Sequence, residues 1–151
     1  MSAEDRLVEL GLTLPPAPEP AAIYQPVVTV GNLAYVSGHG PYRADGSLIT
    51  GVIGRELSLE QGHAAARQTG LAILASLRKH LGSLDRVRRV VKLLGMVNSS
   101  PGFLEHPKVI NGCSELFRDV FGEAGVGARS AVGMMLPGNI ATEIEGIFEI
   151  R

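Results

Sequence analysis

The sequence predicts an α+β domain in which two helices cover one face of a largely antiparallel or mixed sheet. Segments rich in β-branched or alternating residues and segments with apolar residues at helical spacing follow the order strand, strand, helix, strand, helix, strand, strand. The chain has 151 residues, of which 45% are hydrophobic, enough for about one domain with a substantial core. A short extra helix is predicted before the first strand.

Residues 1–20 are predicted to form this N-terminal helix and a stiff strap, which precede the main domain at residues 21–151. Ser2 and Asp5 have the spacing of a capping box at the start of a helix, and Gly11 would end it. The following stretch, TLPPAPEPAA, is rich in proline and favours extended polyproline geometry.

The first two strands are predicted on either side of Gly31-Asn32, which is the signature of a tight hairpin between two β-branched runs. The second strand should end at Ser37-Gly38. Residues 42–57 contain Asp45-Gly46 and further glycines, so we expect a long structured loop there and no additional core element.

Both long helices carry start and stop signals. Ser58 opens the pattern S-L-E-Q, which is a second capping pattern, and Gly82 should follow the end of that helix. Pro107 suits the first turn of the next helix, which should end near Gly122. The remaining strands are predicted at about residues 87–97 and within residues 127–150, where Leu-Pro-Gly-Asn separates two runs.

Two helices can cover only one face of this sheet, so the other face needs a polar surface or a partner. We place on that face the small and apolar residues Gly95, Val97, Ala131, Gly133 and Met135, and we infer self-association against it. The acidic residues of the last strand, Glu143, Glu145 and Glu149, would then lie near a subunit boundary.

Charge and cysteine content restrict the function classes. With 14 basic and 15 acidic residues the net charge is −1, so no overall field attracts nucleic acid or anionic membranes. The densest basic cluster, Arg86 to Lys92, is either a local nucleic-acid patch or a solvated strand edge.

The single cysteine, Cys113, lies at helical spacing with apolar neighbours and is predicted to be a core residue. No stretch approaches the ~18 apolar residues of a membrane span, and we expect a cytoplasmic protein.

Five short motifs follow one another in residues 21–151: Gly31-Asn32 with Val36-Ser37-Gly38, Lys92 to Val97, Asn111 with Phe117, Arg129-Ser130 with Leu136-Pro137, and Glu143-Ile144-Glu145. In this order they resemble the Rid/YjgF family, the RidA-like reactive-intermediate deaminases formerly called L-PSP endoribonucleases. The resemblance implies a chorismate-mutase-like fold, a homotrimer with active sites in clefts between subunits, and hydrolysis of 2-enamine or 2-imino acids to 2-keto acids and ammonia. Ala131 replaces the family's usual cysteine, and the loop after Val97 is longer, so this chain resembles a divergent branch.

The resemblance also implies roles for five residues. Arg129 matches the arginine that holds the substrate carboxylate, a task that suits its planar, permanently charged fork. Glu143 matches the glutamate that positions or activates water. Tyr24, Ser37 and Gly38 match positions that line the pocket. His39 follows this Ser-Gly pair and would either fill a turn or touch the substrate.

Structural roles are the alternative for these residues. Arg129 and Glu143, taken to stand on adjacent strands, would pair with each other or across subunits, and Tyr24 would simply pack with a wet hydroxyl. The alternative functions are a non-catalytic protein that binds or senses small carboxylates, and an endoribonuclease or translation inhibitor. The four histidines are too widely spaced for a metal site, and no phosphate-binding loop is present, so we predict neither a metal nor a cofactor.

Overall fold

The computed structural model describes every residue from Met1 to Arg151 and contains three α-helices and one five-stranded sheet. The helices are α1 (Ala3–Glu9), α2 (Leu59–Leu81) and α3 (His106–Phe121), and the strands are β1 (Val27–Val30), β2 (Leu33–His39), β3 (Val87–Asn98), β4 (Ala128–Met134) and β5 (Thr142–Ile150). The strand order is β1-β2-β5-β3-β4, in which β3 and β4 are parallel and the other neighbours antiparallel. The predicted α+β class, mixed sheet and short N-terminal helix are confirmed.

Side-chain caps fix the starts of α1 and α2. The Ser2 hydroxyl accepts the backbone N–H of Asp5, whose carboxylate accepts the N–H of Ser2. Ser58 and Gln61 exchange the same pair of hydrogen bonds at the start of α2. Gly82 follows α2 with a left-handed φ of 88°, which glycine adopts without strain. The predicted boundaries of both helices are therefore confirmed.

The core lies between the sheet and the pair α2 and α3. Glycines allow the two helices to approach closely: a Cβ on Gly70 of α2 would lie 3.1 Å from Sγ of Cys113 on α3. Cys113 is fully buried, and this burial raises the pKa of its thiol, so its predicted core role is confirmed. Helix α1 adds the buried Leu7 to the same core, and its Glu4 forms an ion pair with Arg78 of α2 at 2.9 Å.

The residues predicted to line the uncovered face lie mostly on the opposite one. Four of these positions face the helices: Gly95, Val97, Ala131 and Gly133. A Cβ on Gly95 would lie 2.6 Å from Ile110 of α3, and Val97 has no exposed surface. Met135 follows the end of β4 and is 94% exposed. The prediction was wrong because both faces of this sheet carry small and apolar residues, and alternation alone does not say which face the helices cover.

The uncovered face is nevertheless apolar, through the alternate positions of the strands. Its exposed apolar side chains are Val28, Val30, Tyr35, Val132 and Met134. Lys92 and Glu145 lie among them on the central strands. An exposed apolar surface of this extent is typical of an interaction site.

Candidate functional site

A cleft of about 500 Å³ lies where β2 ends and β5 begins. Four of the five predicted site residues line it: Tyr24, Ser37, Gly38 and Glu143. Tyr24 comes from the segment before β1, the next two from β2, and Glu143 from β5. The structure therefore brings together residues that are more than a hundred positions apart in the sequence.

A β-bulge in β2 turns Ser37 and Gly38 toward this cleft. The pairing of β2 with β5 is regular up to Val36 and resumes at His39, with one residue fewer on β5. Ser37 and Gly38 therefore both stand opposite the single residue Glu145. Bulges of this kind redirect side chains and are common beside active sites.

Hydrogen bonds from Ser37 hold the Tyr24 segment against the bulge. The Ser37 hydroxyl donates to the carbonyl of Gln25 at 2.5 Å, and its backbone N–H donates to the carbonyl of Pro26 at 2.9 Å. The Tyr24 hydroxyl in turn accepts the N–H of Ala21 at 3.3 Å, and its side chain is only half buried. Tyr24 thus lines the edge of the cleft, with its ring accessible from solvent.

Gly38 provides the space that the Glu143 carboxylate occupies. A Cβ at position 38 would overlap Oε2 of Glu143 and lie 2.9 Å from its Cδ. Burial, and then the neighbouring charge of Glu145, raise the pKa of the Glu143 carboxyl above its ordinary value. Glu143 takes part in no ion pair. A carboxylate in this state is a suitable proton acceptor for a bound water.

Tyr42 is a further lining residue, which the sequence did not reveal. Burial, and then the proximity of Tyr24, raise the pKa of its hydroxyl, so this group is a hydrogen-bond donor at neutral pH. The Tyr42 carbonyl accepts the side-chain amide of Gln68 at 2.6 Å, which ties the loop after β2 to α2. The sequence predicted a structured loop at residues 42–57, but nothing in it indicates which way this tyrosine points.

Arg129 lies on the helix-covered face of the sheet, away from Glu143. Its Nη1 donates to Oδ1 of Asn111 at 2.8 Å and to Oγ of Ser114 at 3.1 Å, and Nη2 donates to the carbonyl of Pro107 at 3.4 Å. Because β3 separates β4 from β5, the prediction that Arg129 and Glu143 stand on adjacent strands is wrong. The two side chains do not pair within one chain.

His39 is buried between β2 and α2 and does not reach the cleft. Its Nδ1 lies 2.6 Å from the carbonyl oxygen of Ser37, and its Nε2 lies 2.7 Å from Oγ of Ser76 on α2. Burial lowers the pKa of the ring. The bulge adds one residue to β2, so His39 returns to the face that the helices cover, and the expectation that it touches substrate or fills a turn is wrong.

The basic cluster before and within β3 is largely engaged in contacts with other parts of the chain. Arg88 and Arg89 lie 3.4 and 3.5 Å from the carboxylate of Glu149, and Arg86 donates to the carbonyl of Arg151. β4 pairs with β3 only from Lys92 onward, so Arg88 and Arg89 lie where β3 has a neighbour on one side only, and both are largely exposed. This arrangement agrees with the solvated strand edge. No helix of the structure is both long and apolar enough to cross a membrane.

Known proteins are similar to this chain in sequence and in fold over nearly its whole length. The family model described as "YjgF/chorismate mutase-like, putative endoribonuclease" matches residues 4–140. Protein TCP17 of Trypanosoma cruzi is 44% identical over 147 residues, which cover 96% of this chain and 92% of that protein.

Solved structures agree with this match. A "putative endoribonuclease" from Shewanella oneidensis MR-1 is 32% identical, with a TM-score of 0.95 over 99% of this chain and 100% of that one. RidA from the Antarctic bacterium Psychrobacter sp. PAMC 21119 is 28% identical, with a TM-score of 0.60 over 89% of this chain and 94% of that one. The predicted chorismate-mutase-like fold is therefore confirmed, and the chain belongs to the Rid/YjgF family.

Proposed function

We propose that the protein hydrolyses reactive 2-enamine or 2-imino acids to 2-keto acids and ammonia, in clefts between the subunits of a homotrimer. The observation that carries this proposal is the state of Glu143. Its carboxylate is half buried, has a raised pKa and no cationic partner, and lies in a cleft with the hydroxyls of Tyr24 and Tyr42. Such a group can accept a proton from water and return it within one reaction cycle.

The reaction requires mainly that the substrate and a water molecule are held next to each other, because the C2 carbon of an imino acid is already electrophilic. Glu143 accepts a proton from water as the water oxygen bonds to C2 and the C=N double bond opens onto nitrogen. That proton passes to the nitrogen, which gives a carbinolamine with a hydroxyl and an amino group on C2. Glu143 then takes the hydroxyl proton and passes it to the nitrogen, so that the C–N bond breaks and ammonia leaves as the C2 carbonyl forms. One water is consumed, and Glu143 regains its starting charge.

The substrate carboxylate needs a cation that the cleft of a single chain lacks, since no lysine or arginine lines it. We assign this task to Arg129 of a neighbouring subunit. Two observations support the assignment. Arg129 is the second residue of the edge strand β4, and it forms no ion pair with any carboxylate of its own chain. Its Nε donates no hydrogen bond, so the fork retains donors for a ligand.

The trimer would bury the uncovered face of the sheet. That face exposes apolar side chains from both edge strands, among them Val30 on β1 and Val132 on β4. Covering them in a ring of subunits would bring the β4 edge of one copy toward the cleft of the next, as a head-to-tail interface requires.

The alternative functions would use the same features differently. A binding or sensing protein would need Arg129 and the cleft, but would have no use for a proton acceptor at Glu143. An endoribonuclease needs several cations for the phosphate backbone, whereas the cleft of a single chain has none and Arg88 and Arg89 pair with Glu149. The raised pKa of Glu143 therefore favours hydrolysis.

The test supplies the purified protein with 2-imino acids generated in place by an amino acid oxidase and measures the release of ammonia. We expect the parent protein to accelerate the release of ammonia, and Glu143→Gln to lower this rate about a hundredfold or more. In calorimetry, Glu143→Gln should bind a 2-keto acid with the affinity of the parent. Binding of the 2-keto acid without acceleration would indicate the sensor. Cleavage of RNA by the parent but not by Glu143→Gln would indicate the ribonuclease.

A further inference from the structure

We propose that His39 is a positioning residue for the cleft: it holds the β-bulge at Ser37 and Gly38 and thereby keeps the space in which the Glu143 carboxylate lies. The kinetic consequences of this inference rest on the proposed function, whereas the geometry does not. His39 is 4% exposed and does not itself line the cleft. It would act only through the backbone that it holds.

The hydrogen bonds of His39 define its tautomer. The carbonyl of Ser37 can only accept, so Nδ1 carries the proton, and Nε2 must then accept from the hydroxyl of Ser76. The ring is neutral in this arrangement, in agreement with the lowered pKa that its burial causes. The causes of that shift include no nearby charge. A neutral imidazole thus connects the bulge to α2.

The bulge depends on this connection because its extra residue falls outside the regular ladder with β5. Every polar group of Ser37 is engaged: the carbonyl by His39, the N–H by Pro26 and the hydroxyl by Gln25. The next residue, Gly38, lies against Glu143. A shift of the Ser37 carbonyl would therefore move both the Gly38 wall and the segment that carries Tyr24.

Two substitutions separate the positioning role from packing. His39→Leu removes both hydrogen bonds and keeps an apolar side chain in the core. His39→Gln can donate from its amide nitrogen to the Ser37 carbonyl and accept the Ser76 hydroxyl with its amide oxygen. His80→Leu is the matched control, since His80 bonds Thr29 on β1 and touches neither the bulge nor the cleft.

The deciding measurement is the pKa of the Glu143 carboxyl, followed by NMR in protein labelled with ¹³C-glutamate and assigned by its absence in Glu143→Gln. The ionisable groups around this carboxyl are Glu145, Tyr24 and Tyr42, and none of the three His variants changes them. We expect His39→Leu to lower the pKa of Glu143 toward its ordinary value, because a relaxed bulge admits water. His39→Gln and His80→Leu should leave it unchanged.

This measurement distinguishes failure of the inference from failure of the proposed function, because it needs no turnover. Where imine hydrolysis is observed, His39→Leu should lower kcat about fivefold to tenfold with KM unchanged, and His39→Gln should restore it. If His39→Leu does not fold, Ser76→Ala, which removes only the far hydrogen bond, should produce a smaller shift of the same sign. A folded His39→Leu or Ser76→Ala variant with an unchanged pKa of Glu143 overturns the proposal.

Discussion

The contact between Gly38 and Glu143 makes Gly38→Ala a sharp test of the role of this carboxylate. An added Cβ would overlap Oε2 of Glu143, and would lie 2.9 Å from its Cδ and 3.2 Å from its Cγ. Gly38 is not among the glycines with positive φ, so alanine introduces no backbone strain. The clash is with the end of a flexible, half-buried side chain, so we expect the carboxylate to swing away while the fold persists.

The expected magnitudes separate activity from stability. A well-placed general base contributes typically about 10²–10⁴ in rate, so loss of its position should lower kcat by at least about a hundredfold, or ~2.7 kcal/mol in the barrier. The free energy of unfolding should change by less than ~1 kcal/mol, because the Glu143 side chain has room to move and alanine restricts the unfolded chain.

The assay combines ammonia release with urea unfolding for Gly38→Ala, Glu143→Ala and the double variant. The double variant should be no slower than Glu143→Ala, because both changes act through one carboxylate. Gly95→Ala is the opposite control: its Cβ would lie 2.6 Å from the buried Ile110, so it should lose about 1–3 kcal/mol of stability and keep the kcat of the folded fraction. A parental kcat in Gly38→Ala would refute the reasoning.

Four further predictions concern Glu143, Cys113 and the assembly. The acidic limb of the kcat/KM profile should follow the raised pKa of Glu143, with activity falling as the pH drops through it, and Glu143→Gln should remove this limb. Because the folded pKa lies above the unfolded one, ionised Glu143 lowers stability once the pH exceeds the unfolded value, so Glu143→Gln should have a higher Tm at neutral pH. Alkylation of native Cys113, followed by mass spectrometry, should be slow and leave activity intact, and rapid labelling with inactivation would contradict its core role. Light scattering should give about three times the 15.9 kDa chain mass, whereas a stable monomer would exclude clefts between subunits.

The sequence predicted the helix ends because their signals are local. The capping boxes at Ser2 and Ser58 involve residues three positions apart, and Gly82 needs only its own backbone freedom. The hairpin at Gly31-Asn32 is equally local, and it forms with Val30 paired to Leu33. Such features depend little on the rest of the fold, so a single sequence is sufficient to find them.

The sequence could not give the faces of the strands, because two features interrupt the period of two. The bulge in β2 and the register shifts near Arg89 and Val91 in β3 each displace the alternation. Alternation also does not say which of the two faces the helices cover, so the set that contains Gly95 was assigned to the wrong face. Strand order is also non-local: β5 inserts between β2 and β3, so two strands that follow each other in sequence are not neighbours.

The candidate site shows the same division between local and distant information. Tyr24, Ser37, Gly38 and Glu143 line one cleft, and their roles in it stay predictions. Tyr42 was missed because its direction depends on a loop held by Gln68 of α2. No periodicity in the sequence describes that contact.

Arg129 and Glu143 lie on opposite faces of the sheet, and this leads to a last prediction about which subunit supplies each residue to a site. Arg129→Ala should lower kcat/KM roughly tenfold to a thousandfold through its lost charged hydrogen bonds, and Arg129→Lys should recover only part of that loss, because an ammonium cannot form the bidentate fork.

If each site takes Arg129 from one subunit and Glu143 from the next, mixed trimers of Arg129→Ala and Glu143→Gln contain intact sites. Random assembly of equal amounts, after unfolding and refolding together, should restore about a quarter of the parental sites, since each of two independent positions is intact in half of the cases. Each variant refolded alone is the control. Trimers that mix but stay inactive would place both residues in the same site of one chain, against the geometry of the sheet. Full activity of Arg129→Ala alone would show that Arg129 has no role in the reaction.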